Sequence, residues 1–139
     1  MANETVVTTS SYVSVISSAS ITSGGVSAES TSVAAAITDA TEEKYPLLDF
    51  KLVADTTHVA DETIDLYRRP SDGTNDSPAV TASYKPHYCG SFTLNGTTGT
   101  YYYLYGVANH DPEDTFYLYS NCAGTEDFTL HLRTRTYGN

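Results

Sequence analysis

The sequence predicts an all-β fold, an antiparallel β-sandwich or jelly-roll-like barrel with an extended N-terminal arm, on three observations. Downstream of residue 45, apolar and polar residues alternate with period two in about six short runs. Gly, Pro, Asn and Asp cluster between those runs where turns are needed. No convincing helix interrupts them, which leaves sheet-on-sheet packing as the way to bury the apolar faces.

Residues 1–44 differ in kind from residues 45–139, and the two stretches read as an assembly arm and a β-sandwich domain. Ser, Thr, Ala, Val and Gly dominate from Thr5 to Ser32, with too little bulky apolar surface to build a core alone. Val6, Val7, Tyr12, Val13, Val15, Ile16 and Ile21 are nevertheless β-formers spaced along it. A chain of this type is ordered by lying on a neighbouring surface that satisfies its backbone groups, so Val13, Val15 and Ile16 are candidate interface residues. A floppy tail and a first strand of the same domain are the competing readings. From Ala28 to Ala40, Val33, Ala36, Ile37 and Ala40 share a face at helical spacing with Ser27 as N-cap, against a strand through Val33 to Ile37. Pro46 marks the boundary.

Beyond it, Leu48, Phe50 and Leu52 alternate with Asp49, Lys51 and Val53 as a strand with one face in the core. Glu62 to Arg69 alternates again, Pro70 ends it, and Ser71 to Pro78 is a long polar turn. Tyr84 to Leu94 restarts the pattern with Tyr88, Phe92 and Leu94 on one face, and Gly90 marks a bulge or a close backbone approach. Asn95-Gly96 is a strong hairpin signal leading into Tyr101–Val107, which a loop through Asp111 to Asp114 joins to Phe116–Tyr119 as a second hairpin. Tyr101, Tyr103, Tyr105 and Val107 share one face of the first of these strands, and Tyr102, Leu104 and Gly106 the other. A strand apolar on both faces belongs in the middle of a sheet, covered on one side by the core and on the other by something else, of which another subunit is one candidate. Phe128, Leu130 and Leu132 alternate with Thr129, His131 and Arg133 in the last strand, which runs to Tyr137.

A chain of 139 residues suits one domain with a real core. Its net charge of −10 disfavours nucleic acid and anionic membranes as partners, and charged residues make up only 17%, so the surface is polar largely through hydroxyls. The Met1-Ala-Asn-Glu start has no basic n-region, and no apolar run approaches a signal-peptide core or a membrane span; the expectation is a soluble product of the cytosol with Cys89 and Cys122 as free thiols.

No reaction centre emerges from the motifs. His58, His87, His110 and His131 have no metal-ligand spacing, and neither cysteine has a second one two residues away, which argues against zinc. Two acidic loops, Asp72 to Asp76 and Asp111 to Asp114, offer oxygen ligands for calcium, but Asp-Gly and Asp-Pro are ordinary turn residues. Nothing singles out an acid–base carboxylate pair. Tyr117 and Tyr119, with Tyr101, Tyr103 and Tyr105, read as core plus subunit interface rather than a sugar platform, because Trp is absent. Arg133 and Arg135 alternate on the last strand; with Arg68 and Arg69 they would form one positive patch if the strands were adjacent, the alternative being solvated arginines.

The runs LDFKLVADTT, ETIDLYRRPSDGTND, YYYLYGVANHDPEDTFYLY and LHLRTRTY, spanning about Leu47 to Tyr137, resemble small virion proteins of tailed bacteriophages. Such proteins combine a short Ser/Thr/Ala-rich N-terminal segment with a compact all-β unit. The resemblance implies a structural component on the capsid surface, most simply a decoration or cement protein that forms a homo-oligomer and binds the major capsid protein, with no cofactor and no catalytic residue. The alternative is a tail- or fibre-associated module that binds host carbohydrate.

Overall fold

Alternation along the last strand sends Phe128, Leu130 and Leu132 to one side, and the whole architecture is assembled around that strand. The computed structural model describes residues 6–138, so the Met1–Glu4 start lies outside the described residues. In chain order the strands are β1 (Val6–Thr9), β2 (Val13–Ile21), β3 (Leu47–Ala54), β4 (Thr63–Arg69), β5 (Tyr88–Thr93), β6 (Tyr101–Ala108), β7 (Thr115–Ser120) and β8 (Glu126–Gly138). A one-turn helix, α1 (Val33–Ala36), and a 3-10 turn at Glu42–Lys44 lie between β2 and β3.

Two antiparallel sheets pack as a β-sandwich. In the five-stranded sheet β8 is central: β3 flanks one side and carries β6 at its outer edge, while β2 and β1 pair in turn with the first and last parts of the other side. The second sheet has the order β5-β4-β7. Phe50 of β3 meets Phe116 of β7 edge to face, ring centroids 4.9 Å apart, across the gap between the sheets. Phe92, Phe128, Leu48, Leu52, Leu66, Leu118, Leu130 and Leu132 fill the rest of the interior. Each such side chain contributes roughly 1.5–3 kcal/mol of burial free energy.

The N-terminal segment is extended, and its described part belongs to this same sandwich. Val15 and Ile16, expected at an interface with a neighbour, are instead core residues at 7% and 5% exposure, because β2 pairs with β8 of its own chain. Val13 is only partly buried and packs on the same core. Ile21, Val33 and Ile37 are buried there too. The N-cap of α1 is Ser32, whose Oγ accepts the Ala35 N–H at 3.1 Å, rather than Ser27.

Ser27 has another task, which explains the hydroxyl-rich composition. Its N–H donates to the Leu118 carbonyl at 2.8 Å while its Oγ accepts the Leu118 N–H at 3.0 Å. Ser30 repeats this with Phe116 at 2.9 and 2.8 Å, and Ser10 repeats it with Thr134 at 3.0 Å in both directions. Each hydroxyl stands in for a carbonyl that an irregular backbone cannot present, so the free edge of β7 and the gap on β8 between its pairings with β1 and β2 are satisfied without a regular ladder. Replacing Ser30 or Ser27 by alanine orphans a buried N–H and is expected to cost about 1–3 kcal/mol each. Urea denaturation measures this; a loss below half a kilocalorie would show that water replaces the hydroxyl.

The two expected hairpins are not formed. Asn95-Gly96 and the Asp111–Asp114 loop both reverse the chain, but β5 and β7 pair with β4 while β6 pairs with β3, so both turns carry the chain from one sheet to the other. β6 is consequently an edge strand, not a central one. Gly90 is a point of close approach: a Cβ there would lie 2.6 Å from a Leu104 methyl, which is how β5 and β6 close the seam between the sheets.

Candidate interaction surface

The outer face of the five-stranded sheet collects aromatic rings and cations. Tyr101, Tyr103 and Tyr105 project outward from β6 with 54%, 48% and 59% of their surface exposed. The rings of Tyr103 and Tyr105 are stacked, 5.8 Å apart and 7° from parallel, and Tyr12 leans against Tyr103 at 6.3 Å. Lys51 Nζ lies 4.7 Å from the Tyr12 ring and 5.2 Å from the Tyr101 ring, and the Arg133 guanidinium covers Tyr12 at 4.6 Å. Arg135 sits 5.0 Å over Tyr137 and donates to its hydroxyl. Burial, only partly offset by Arg133, pushes the Tyr12 hydroxyl up to about 12, so it stays protonated at neutral pH.

A buried carboxylate organises the cations. The register slips between Leu48↔Val107 and Phe50↔Leu104, a β-bulge that leaves Asp49 opposite Tyr105 and Gly106. Gly106 takes a φ of 74°, a conformation that glycine adopts without strain. Its N–H donates to Asp49 Oδ1 at 3.1 Å, Arg133 Nε to Oδ2 at 2.9 Å, and Arg135 Nε and Nη2 to the same carboxylate at 2.9 and 3.0 Å. Burial alone would raise the Asp49 pKa; the hydrogen bonds from Arg135, Arg133 and Gly106 outweigh it and hold the group below the usual aspartate range. Around this fully buried carboxylate, Lys51, Arg133 and Arg135 leave cationic charge on a chain of net charge −10.

The arginines do not form the single patch that adjacent strands would have given, because β4 and β8 belong to different sheets. Arg68 is 6% exposed; it donates to Asp114 Oδ2 at 2.8 Å and to the Ala108 carbonyl, and lies 5.2 Å over Phe116. Arg69 pairs with Glu29 at 2.6 Å. Tyr117 is buried and Tyr119 half-buried on the outside of the second sheet, where Val80 from the long 71–86 loop covers them together with Tyr67. Their hydroxyl-rich surface is used within the chain: the Tyr117 hydroxyl donates to Glu29 at 2.7 Å.

The acidic loops are occupied by their own turns. Asp72 accepts the Thr74 and Asn75 N–H groups, Asp111 accepts that of Glu113, and Asp114 accepts that of Ser71 while pairing with Arg68. Beside Arg68 a cleft of about 840 Å³ opens between the ends of β5 and β6, with His87, Cys89 and His110 on its walls. The Cys89 thiol donates to the His87 carbonyl at 3.7 Å, and burial pushes its pKa up, the reverse of what activates a cysteine nucleophile.

Comparison with protein-family models and with curated proteins finds no match. No helix among the described residues is long and apolar enough to cross a membrane.

Proposed function

We propose that the protein is a structural component of a phage virion, a capsid decoration or cement protein that binds the major capsid lattice through the outer face of its five-stranded sheet. One observation carries this reading: the half-exposed Tyr101-Tyr103-Tyr105 ribbon, flanked by Lys51, Arg133 and Arg135, on an otherwise acidic chain. Tyrosine and arginine are residues that concentrate binding energy at protein interfaces, and tyrosine rings lose little conformational entropy when covered. The cations select a partner surface that presents carboxylates.

Contact through this face differs from contact through an arm, since residues 13–37 are used inside their own sandwich. The work of the protein is then mechanical. Each copy adds binding free energy that must be overcome before capsomers separate, by the mass-action stabilisation of any state that binds a ligand preferentially. The resemblance of Leu47 to Tyr137 to small virion proteins agrees with this role.

Quantitative gels of purified virions test it. Decoration predicts a copy number on the scale of the major capsid protein. A copy number on the scale of a single tail would favour the carbohydrate-binding module instead, and absence from the particle would contradict both.

A further inference from the structure

We infer that Glu62, Cys122 and Glu126 form a binding site for one divalent transition-metal cation of the zinc class. The fold brings them together from distant parts of the chain. Ile64 pairs with Ser120, which sets the residues preceding β4 beside those following β7, and the turn after Cys122 crosses to the other sheet, where Glu126 opens β8. One ligand atom from each residue lies within 4.8 Å of the other two. Cys122 is 1% and Glu126 6% exposed.

Two features distinguish the trio from an acidic cluster facing water. Glu62 is oriented before any cation arrives, because its Oε1 accepts the Val59 N–H at 2.9 Å and its Oε2 the Ala123 N–H at 2.6 Å. Glu126 Oε2, in contrast, is buried without any hydrogen-bond partner. A carboxylate oxygen removed from water and left unpaired is costly, and a cation removes that cost.

The donor set names the class of ion. A thiolate selects zinc-like cations and discriminates against calcium and magnesium, which require all-oxygen shells with more ligands. Three protein ligands leave a fourth tetrahedral position for water. Metal–ligand bonds of about 2.0–2.3 Å place ligand atoms roughly 3.5 Å apart, so side-chain rotations contract the trio by on the order of 1 Å. Binding involves no redox step: the Cys122 S–H bond breaks, its proton leaves to solvent, and a sulfur–metal bond forms. Because a proton must leave Cys122 as the ion binds, affinity rises with pH. The bound ion would tie the entrance of β4 to the β7–β8 crossing, a cross-link between the sheets independent of the proposed capsid contact.

The test uses the full chain with Cys89→Ser, which leaves Cys122 as its thiol. Titration with Co2+ is expected to give a near-ultraviolet thiolate-to-metal charge-transfer band that saturates at one ion per chain and releases one proton. Zn2+ should displace the Co2+ and raise Tm, while Mg2+ and Ca2+ do neither. Glu126→Gln, which replaces the carboxylate with a neutral amide of the same shape and is expected to fold, should lose the band, as should Cys122→Ser. Absence of the band in the Cys89→Ser protein, or its persistence in a folded Glu126→Gln or Cys122→Ser variant, would overturn the assignment.

Discussion

Arg68→Ala is expected to destabilise the protein by about 3–5 kcal/mol, the largest single-site loss outside the aromatic core. The ion pair with Asp114 has side chains only 7% and 2% exposed, and removing one partner leaves the other charge buried without compensation. Arg68 also bonds the Ala108 carbonyl and covers Phe116, so packing is lost along with charge. Asp114→Ala should behave similarly, since it also releases the Ser71 N–H. The double variant Arg68→Met/Asp114→Asn removes both charges, fills the arginine's space and keeps an acceptor for Ser71, so it should lie closer to wild type than either alanine variant. Urea melts decide this; an Arg68→Ala loss under 1 kcal/mol would mean that water already solvates the pair.

Asp49→Ala is expected to cost about 3 kcal/mol, somewhat softened because Arg133, 26% exposed, can turn towards water when its acceptor is gone. Gly106 cannot escape in this way, since its N–H is fixed by the bulge. The pH dependence gives a sharper signature. A carboxyl whose folded pKa lies below its unfolded value near 3.9 contributes stability that is fully present above that value. The contribution disappears as pH falls through the folded pKa. Wild type should therefore lose stability steeply below about pH 4, and Asp49→Ala should lack that component of the slope. Parallel acid limbs in the two proteins would contradict the bonding described for Asp49.

The sandwich was legible because its strands are half-buried, and a half-buried strand must alternate. Leu48, Phe50 and Leu52 on β3, like Phe128, Leu130 and Leu132 on β8, lie inside as the period requires. The outward set of Tyr101, Tyr103 and Tyr105 was legible for the same reason. Sheet membership was not legible. A turn such as Asn95-Gly96 specifies that the chain reverses, but whether the next strand pairs with the last or crosses the sandwich depends on which edge is free, a non-local property.

The N-terminal segment misled in a different way. Its poverty in large apolar residues is real, yet Val15, Ile16 and Ile21 suffice when β8 supplies the partner face, and Ser10, Ser27 and Ser30 do through hydroxyls what a regular strand does through carbonyls. The three-residue spacing of Ser27 and Ser30 was a visible trace of this, but it is indistinguishable by itself from low-complexity sequence. Tyr117 shows the converse error: its strand pattern matches that of β6, and only the Val80 loop, remote in sequence, determines that it is covered within the chain. Glu62, Cys122 and Glu126 could not have been grouped without the β4–β7 pairing.

The tyrosine face is the centre of the functional account, and one measurement addresses it most directly. Capsid shells lacking the protein are mixed with wild type or with Tyr101→Ser/Tyr103→Ser/Tyr105→Ser, and bound protein is quantified after sedimentation. All three rings are about half exposed on an edge strand, so the variant is expected to keep its fold by circular dichroism. The account predicts saturable binding by wild type and at least a hundredfold weaker binding by the folded variant, a loss of about 2.8 kcal/mol shared among three rings. Equal binding by the two proteins, or none by wild type, would contradict it.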